Sequence, residues 1–199
     1  MYTETNCEQL AFASDKGFFE AGKVIEIGSS QWDTKLNRFM KARVPGFMVA
    51  KSATEMFSRL QVADYTSYPS DNDIAPGTKS PVVCAFNYLQ GRIDILKSWR
   101  VIHDITEVNG YMLIAGPIGV TATMSALTVN QIIHVAAAND YGVPYLTVSN
   151  SSRQFVHRLN SQAMLTTDQI RENLYKFKEA QDVIISVIFK KTNDDPFKY

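Results

Sequence analysis

Short apolar runs of strand length alternate along the chain with segments that carry helical signals. The strand-length runs lie at residues 23–28, 46–50, 81–86, 111–115, 145–148 and 183–189, with a weaker run at residues 61–64. Capping residues, a Ser or Thr followed three positions later by Glu or Gln, predict helices that begin after Ser52, Thr128 and Thr166. Apolar side chains at helical spacing predict a further helix over residues 94–106. This alternation predicts an α/β fold with six or seven strands in one largely parallel sheet.

Length and composition are typical of one globular domain. The 199 residues are 45% apolar and 20% charged, which allows a core without disulfide or metal staples. We expect a single domain over residues 1–199, with residues 1–17 as an N-terminal extension and residues 192–199 as a polar C-terminal tail. An ordered tail needs contacts with neighbouring elements or with another chain. On that ground we expect a homo-oligomer or a larger protein assembly.

Charge and cysteine content exclude several classes of protein. Twenty Lys and Arg balance twenty Asp and Glu, which excludes a generally basic nucleic-acid or membrane-surface protein but not a local basic patch. Cys7 and Cys84 are too few for a disulfide scaffold, an iron–sulfur cluster or a multi-cysteine zinc site. No apolar run approaches the ~20 residues of a membrane span, and residues 1–6 do not have the character of a signal peptide. We expect a cytoplasmic protein with no metal, no membrane partner and no nucleic-acid partner.

Several motifs follow one another in an order that is typical of one enzyme family. Glu26-Ile-Gly28 resembles an acidic residue followed by the family's glycine turn, residues 50–56 the end of its second strand, and residues 63–64 its adenine motif. Residues 82–89 resemble the family's fourth strand, and residues 94–106 resemble the helix that follows it. Residues 108–114 resemble the turn into its fifth strand, and residues 183–191 its last strand. Together, most specifically over roughly residues 18–119, they resemble the class I S-adenosylmethionine-dependent methyltransferase fold family. The resemblance implies a Rossmann-like sheet with helices on both faces and an antiparallel last strand.

The resemblance also implies roles for individual residues. Glu26 would hold the methionine end of S-adenosylmethionine, and the turn at Gly28 would let the backbone approach the cofactor. Asp64 would read the adenine, while Lys51 falls where the family has an acid that binds both ribose hydroxyls. The implied cofactor-binding set is Glu26, Gly28, Ser30, Lys51, Asp64 and Asn87. The implied acceptor-binding residues are Tyr88, after the fourth strand, and His157, in a loop after the sixth.

Departures from the family pattern fall on this pocket. An ammonium at Lys51 removes the ribose acceptor and brings a positive charge toward the sulfonium of the cofactor. Trp32 is bulky in the turn, and residues 87–91 stand where many small-molecule members have Leu-Glu-His. We therefore expect a methyltransferase-like pseudoenzyme with a degraded pocket, serving as a structural, assembly or binding subunit. The alternative is an active methyltransferase on a small molecule or sugar, in which positioning drives an in-line transfer.

Each candidate residue also has a plainer interpretation. Glu26 is either a cofactor contact or a strand-end residue capped by nearby amides. Lys51 is either an anion contact or a solvated, ion-paired surface residue. Tyr88 either lines an acceptor site or packs in the core or at its rim. His157 either closes over a substrate or lies in a solvated loop.

Overall fold

The computed structural model describes residues 2–28, 30–118, 127–150, 156–177 and 183–199, without the side chains of residues 156, 157 and 160–163. Within these ranges the chain forms six α-helices and seven strands. The helices are α1 (Glu4–Asp15), α2 (Asn37–Lys41), α3 (Ala53–Arg59), α4 (Ile95–Ile105), α5 (Val129–Ala138) and α6 (Thr167–Leu174). The strands are β1 (Lys23–Ile27), β2 (Asp64–Tyr68), β3 (Ser80–Phe86), β4 (Thr106–Ile118), β5 (Gly142–Asn150), β6 (Val156–Leu165) and β7 (Val183–Lys190).

All seven strands belong to one sheet in the order β2-β1-β3-β4-β7-β5-β6. The pairs β2–β1, β1–β3 and β3–β4 are parallel. Strand β7 runs antiparallel between β4 and β5, and β6 is antiparallel to β5 at the far edge. Five strands therefore share one direction. The predicted Rossmann-like, mostly parallel sheet with an antiparallel last strand is confirmed.

Helices cover both faces of the sheet, as expected. Because side chains alternate along a strand, Val24 and Leu113 pack on one face with residues of α1, α2 and α3. Ile25 and Ile114 pack on the other face with residues of α4, α5 and α6. Both faces are buried, which is why the strands read as continuous apolar runs in the sequence.

The helix starts follow the predicted capping residues. Thr128 and Thr166 each form a complete capping box, with Gln131 and Gln169 respectively. The Ser52 hydroxyl accepts a bond from the Glu55 amide at 3.1 Å, but the Glu55 carboxylate accepts from the Lys51 amide instead of completing the box. The predicted start of each helix is thus confirmed.

The predicted second strand at residues 46–50 is wrong. This segment joins α2 to α3 and makes no ladder; its end is held instead by the side chain of Asn37, which accepts a bond from the Ala50 amide at 2.8 Å. The run is apolar, yet Met48 and Val49 remain 58% and 50% exposed. The strand that pairs with β1 on the side away from β3 is β2, which begins at Asp64, where the weaker run at residues 61–64 ends.

Two elements carry no clear sequence signal. Helix α1 occupies most of the predicted N-terminal extension and buries polar side chains, including Thr5, Asn6 and Gln9, so it lacks the apolar stripe of a surface helix. The Gln9 amide nitrogen donates to backbone carbonyls of β7 and β4. The predicted loop around His157 is wrong, because this residue belongs to strand β6. There His157 pairs with Val148 of β5.

Contacts within the chain account for the order of the C-terminal tail. The buried ammonium of Lys191 donates to the carbonyl oxygens of His103 and Thr106, both at 3.1 Å, and to Asp194 at 2.7 Å. Further along, Lys198 and Asn139 exchange two hydrogen bonds. The tail is therefore held by neighbouring elements, and its order gives no support to an assembly.

None of the helices in the described ranges is both long enough and apolar enough to cross a membrane.

Candidate functional site

The carboxyl ends of β1 and β3 lie side by side at the point where the strand order reverses. From β1 the chain first adds β2 on one side and then β3 on the other, the arrangement that leaves a crevice for ligands in open α/β sheets. Gly28 follows β1 with φ +88°, and Asn87 follows β3 with φ +56°. We call the space above these two turns the crevice.

Glu26 lies at the base of the crevice with its acceptor oxygens already engaged. Its carboxylate is fully buried. It accepts bonds from the Tyr2 hydroxyl at 2.9 Å, from the Ser30 amide at 2.9 Å and from the Tyr65 hydroxyl. Burial raises the pKa of Glu26 above its ordinary value, although the three hydrogen bonds oppose that rise. The carboxylate is thus satisfied by the protein itself.

Tyr2 brings the N-terminal segment into the crevice. Its amide donates to the Gln31 carbonyl at 3.1 Å, and its ring packs edge-on against Trp32 and Phe86, with centroids 5.6 and 5.4 Å away. Only 2% of Tyr2 is exposed. Edge-to-face contacts of this kind add to the burial energy of an aromatic ring. Tyr2 therefore forms one wall of the crevice and covers Glu26.

Tyr88 covers the glycine turn. A Cβ placed on Gly28 would lie 3.0 Å from the Tyr88 ring and 3.3 Å from its Cβ. The Arg92 guanidinium lies over the same ring, 4.2 Å from its centroid. Burial, together with the neighbouring Asp71 carboxylate, raises the pKa of Tyr88 to about 12. The ring thus occupies the position from which a ligand would approach the Gly28 backbone.

One cavity next to the crevice, among the residues that the structure describes, is small. Between the ends of β3 and β4, a cavity lined by Leu89, Gly116 and Leu127, among others, has a volume of about 10 Å³. That volume is about what one water molecule needs, whereas ligand pockets usually measure roughly 300–1,000 Å³.

Asp71 is a site candidate that the sequence analysis missed. It is the first carboxylate after β2, the strand paired with β1, and it therefore lies near the position where a ribose-binding acid is expected. Its Oδ1 lies 4.0 Å from the Arg92 guanidinium and accepts from the Ser70 hydroxyl at 3.2 Å. Burial favours a higher pKa for Asp71, but the Tyr88 and Ser70 hydroxyls and Arg92 outweigh it and lower the pKa.

The structure does not bring Lys51 or Asp64 to the crevice. Lys51 is exposed just before α3 and follows no strand, so its assignment to the ribose position falls with the predicted second strand. Asp64 is the first residue of β2 and pairs with Lys23 at the opposite end of the sheet. At ~3.3 Å per residue, that pairing places Asp64 about 16 Å from the level of Gly28.

The other predicted residues divide between the crevice and the sheet edge. Ser30 reaches Glu26 through its amide, and the Asn87 amide donates to the Ala115 carbonyl at 2.6 Å. His157 lies in β6, and its side chain is outside the described part of the structure. The predicted residues that meet at the crevice are Glu26, Gly28, Ser30, Asn87 and Tyr88. The residues there that were not predicted as contacts are Tyr2, Tyr65, Asp71 and Arg92.

Sequence signals for the missed residues are weak. Asp71 lies among the turn-forming residues 67–80, which also contain Asp73, and the local sequence does not distinguish the two carboxylates. Tyr2 precedes a helix without apolar periodicity, and nothing in the local sequence relates it to Glu26. Correct placement of β2 would have indicated Asp71, whereas the Tyr2 contact is purely tertiary. Among the described residues no group of three His, Cys, Asp or Glu side chains is arranged to hold a metal ion.

No protein-family model matches the chain, and no curated protein matches its sequence. Solved structures with a similar course of the chain include the N-methyltransferase NodS from Bradyrhizobium japonicum in complex with S-adenosylhomocysteine, at 8% identity over 94% of this chain and 87% of that one, with a TM-score of 0.49. A putative sarcosine dimethylglycine methyltransferase from Galdieria sulphuraria is 12% identical over 94% and 85%, with a TM-score of 0.48.

A third such structure is the complex between the Trm112 methyltransferase activator and a putative methyltransferase from Haloferax volcanii. The matched chain is 10% identical over 96% of this chain and 94% of that one, with a TM-score of 0.42. The likeness is one of fold. At these identities and TM-scores, nothing about ligand, partner or activity follows from it.

Proposed function

We propose that this methyltransferase-like chain has its cofactor crevice filled by its own side chains and acts as a non-catalytic binding subunit. The observation that carries the proposal is the contact between Tyr88 and Gly28. A glycine turn lets a ligand approach the backbone only while the space above it is open. Here that space is occupied by a buried aromatic ring.

Glu26 supports the same proposal. A carboxylate that contacts a ligand needs acceptor capacity facing the ligand, and the Glu26 oxygens already accept from Tyr2, Tyr65 and Ser30. A ligand that took over one of these bonds would have to displace a hydroxyl from a buried site. Leaving that hydroxyl unpaired costs about 1–3 kcal/mol. The donors are thus better suited to closing the crevice than to admitting a cofactor.

The second candidate function is an active methyltransferase on a small molecule or sugar. Asp71 is the observation that favours it, because an acid near the end of β2 removes the strongest objection that Lys51 raised. In that case Tyr2 and Tyr88 would have to move when S-adenosylmethionine binds, and Arg92 would have to release Asp71.

Calorimetric titration with S-adenosylmethionine and S-adenosylhomocysteine tests the two candidates. We expect no binding by the unaltered chain and measurable binding by Tyr88→Ala, which uncovers Gly28. Tyr111→Ala is the matched control, since it truncates a tyrosine that stacks on Phe18 at the other end of the sheet. Micromolar binding by the unaltered chain would favour the active enzyme. Absence of binding by Tyr88→Ala, with its fold intact, would contradict the claim that this side chain closes the crevice.

A further inference from the structure

Residues 34–51, which we call the basic segment, carry an unbalanced charge. The segment contains five cationic residues and no Asp or Glu, although the whole chain has twenty of each sign. The cationic residues are Lys35, Arg38, Lys41, Arg43 and Lys51. The rest of the chain therefore has fifteen Lys and Arg against twenty Asp and Glu and is net acidic.

Four of these cations are available to a partner. Lys35, Arg38, Lys41 and Lys51 are exposed, and none lies within 4.0 Å of a carboxylate oxygen in the part of the chain that the structure describes. Arg43 differs, since it lies 3.7 Å from Glu8. Positions 35, 38 and 41 are three apart, so their side chains lie along one side of the helical turns, while Met40 is buried against the sheet.

The same segment presents two large apolar side chains to solvent. Met48 and Val49 are 58% and 50% exposed, whereas their neighbours Phe47 and Ala50 are buried. The Asn37 side chain and the indole of Trp32 both bond to the Ala50 backbone, with the Asn37 amide nitrogen and the Trp32 Nε1 donating to its carbonyl at 3.0 and 3.1 Å. The end of this loop is thereby held beside α2, and Lys51 follows Val49 by two positions.

We propose that the basic segment docks on an anionic lipid surface, with Met48 and Val49 entering the headgroup region and the four free cations lying over the lipid charges. Cations that flank exposed apolar side chains are the combination that binds such surfaces, through area buried from water and attraction to acidic lipids. A nucleic acid would use the cations but would gain little from the apolar pair. The rest of the chain carries a net charge of the same sign as that surface, which favours approach by the basic segment.

Sedimentation with vesicles tests the proposal on the full chain. We expect binding to phosphatidylcholine vesicles that contain phosphatidylserine, loss of binding on pure phosphatidylcholine, and weakening by salt. Lys35→Ala with Lys41→Ala should lower the partition coefficient roughly 25-fold, at about fivefold for each cation. Met48→Ser with Val49→Ser should lower it about tenfold, because less apolar area is buried.

Matched controls separate position from composition. Lys97→Ala with Lys176→Ala removes two exposed lysines elsewhere, and Ile93→Ser removes a fully exposed apolar side chain outside the segment. Both should leave vesicle binding unchanged. Absence of binding to phosphatidylserine vesicles would overturn the proposal. So would tighter binding to a single-stranded oligonucleotide that depends on Lys35 and Lys41 but not on Met48 and Val49, because that result would identify a nucleic-acid surface.

Discussion

The two ends of the chain each close over a buried ionisable group, and the two closures differ in chemistry. At the C-terminus, the Lys191 ammonium has a carboxylate partner in Asp194 and two backbone carbonyls. At the N-terminus, Tyr2 closes over Glu26, whose donors are two hydroxyls and an amide. No Lys or Arg of the described residues pairs with Glu26.

The difference separates a closure that stabilises the folded chain from one that covers the crevice. The buried Lys191 ammonium connects the segments that supply its three acceptors, and removing one partner of such a buried charge pair is strongly destabilising. A buried carboxylate with only neutral donors stays under a desolvation penalty, and the pKa of Glu26 is accordingly raised. The C-terminal closure therefore serves stability, whereas the N-terminal closure retains an acid at the crevice and covers it.

Replacing Lys191 should have the largest effect on the free energy of unfolding. Lys191→Ala leaves two buried carbonyls without their donor and a gap inside the fold, and we expect the free energy of unfolding to fall by about 3 kcal/mol. Lys198→Ala is the control, because that exposed lysine makes only a surface ion pair with Asp195; its effect should stay below about 0.5 kcal/mol. Urea unfolding measures both free energies. Equal losses in the two variants would contradict the structural role of Lys191.

Glu26→Gln tests the N-terminal closure through the pH dependence of stability. Because the folded state raises the pKa of Glu26, it binds more protons than the unfolded chain above the ordinary pKa of 4.5. The contribution of Glu26 to stability is therefore complete below that pH and declines as pH rises. Because Gln does not titrate, we expect the stability of Glu26→Gln relative to the unaltered chain to increase as pH rises from 4 to 7. If the difference in unfolding free energy stayed flat between pH 4 and pH 7, the buried carboxylate would not be under strain from desolvation.

Tyr2→Phe should have a moderate effect. The variant keeps the ring contacts with Trp32 and Phe86 but removes one hydrogen bond to Glu26, and we expect a loss of about 1 kcal/mol. The pKa of Glu26 should rise further, because that bond favours the charged form. Tyr199→Phe, at an exposed tyrosine, should change neither quantity. Thermal unfolding measures the stability of both variants, and carboxyl titration measures the pKa of Glu26 in each. Equal stabilities and equal pKa values in the two variants would contradict the role of the Tyr2 hydroxyl.

Replacing His103 should have the smallest effect on stability. Its contribution depends on pH in the opposite direction to that of Glu26. Burial, aided by the Lys191 charge, lowers its pKa from 6.5, so the folded state binds fewer protons and stability falls as pH drops below 6.5. The ring bonds the Tyr141 hydroxyl at 2.7 Å and the Asp195 carbonyl at 3.0 Å. His103→Gln should remove this pH-dependent contribution to stability, because the amide of Gln does not titrate. Unfolding at pH 7 and pH 5 measures this term, and an unchanged pH dependence in the variant would contradict it.

The sequence predicts best the elements in which local signal and burial agree. Strands β3 and β7 are apolar on both faces and were predicted nearly to their bounds, and the capping residues at Thr128 and Thr166 begin helices as expected. The run at residues 46–50 has the same composition, but side-chain bonds from Asn37 and Trp32 hold it outside the sheet. Apolar composition alone does not distinguish a buried strand from an anchored loop.

The site was predictable only where it follows from strand ends. Glu26, Gly28 and Asn87 were assigned from the ends of β1 and β3, and the structure brings them together. Lys51 was assigned through a strand that does not form, which moved the expected acid away from Asp71. The roles of Tyr2 and Tyr88 depend on contacts between distant parts of the chain, and local sequence patterns do not contain that information.

The most direct test of the closed crevice is a carbon-13 NMR titration of the Glu26 carboxyl group, with and without S-adenosylhomocysteine. A carboxylate buried under Tyr2 and Tyr65 should titrate above 4.5, and saturating ligand should leave its pKa and chemical shift unchanged. A pKa at or below 4.5, or a shift on addition of the ligand, would show that Glu26 is open to the cofactor and would contradict the account.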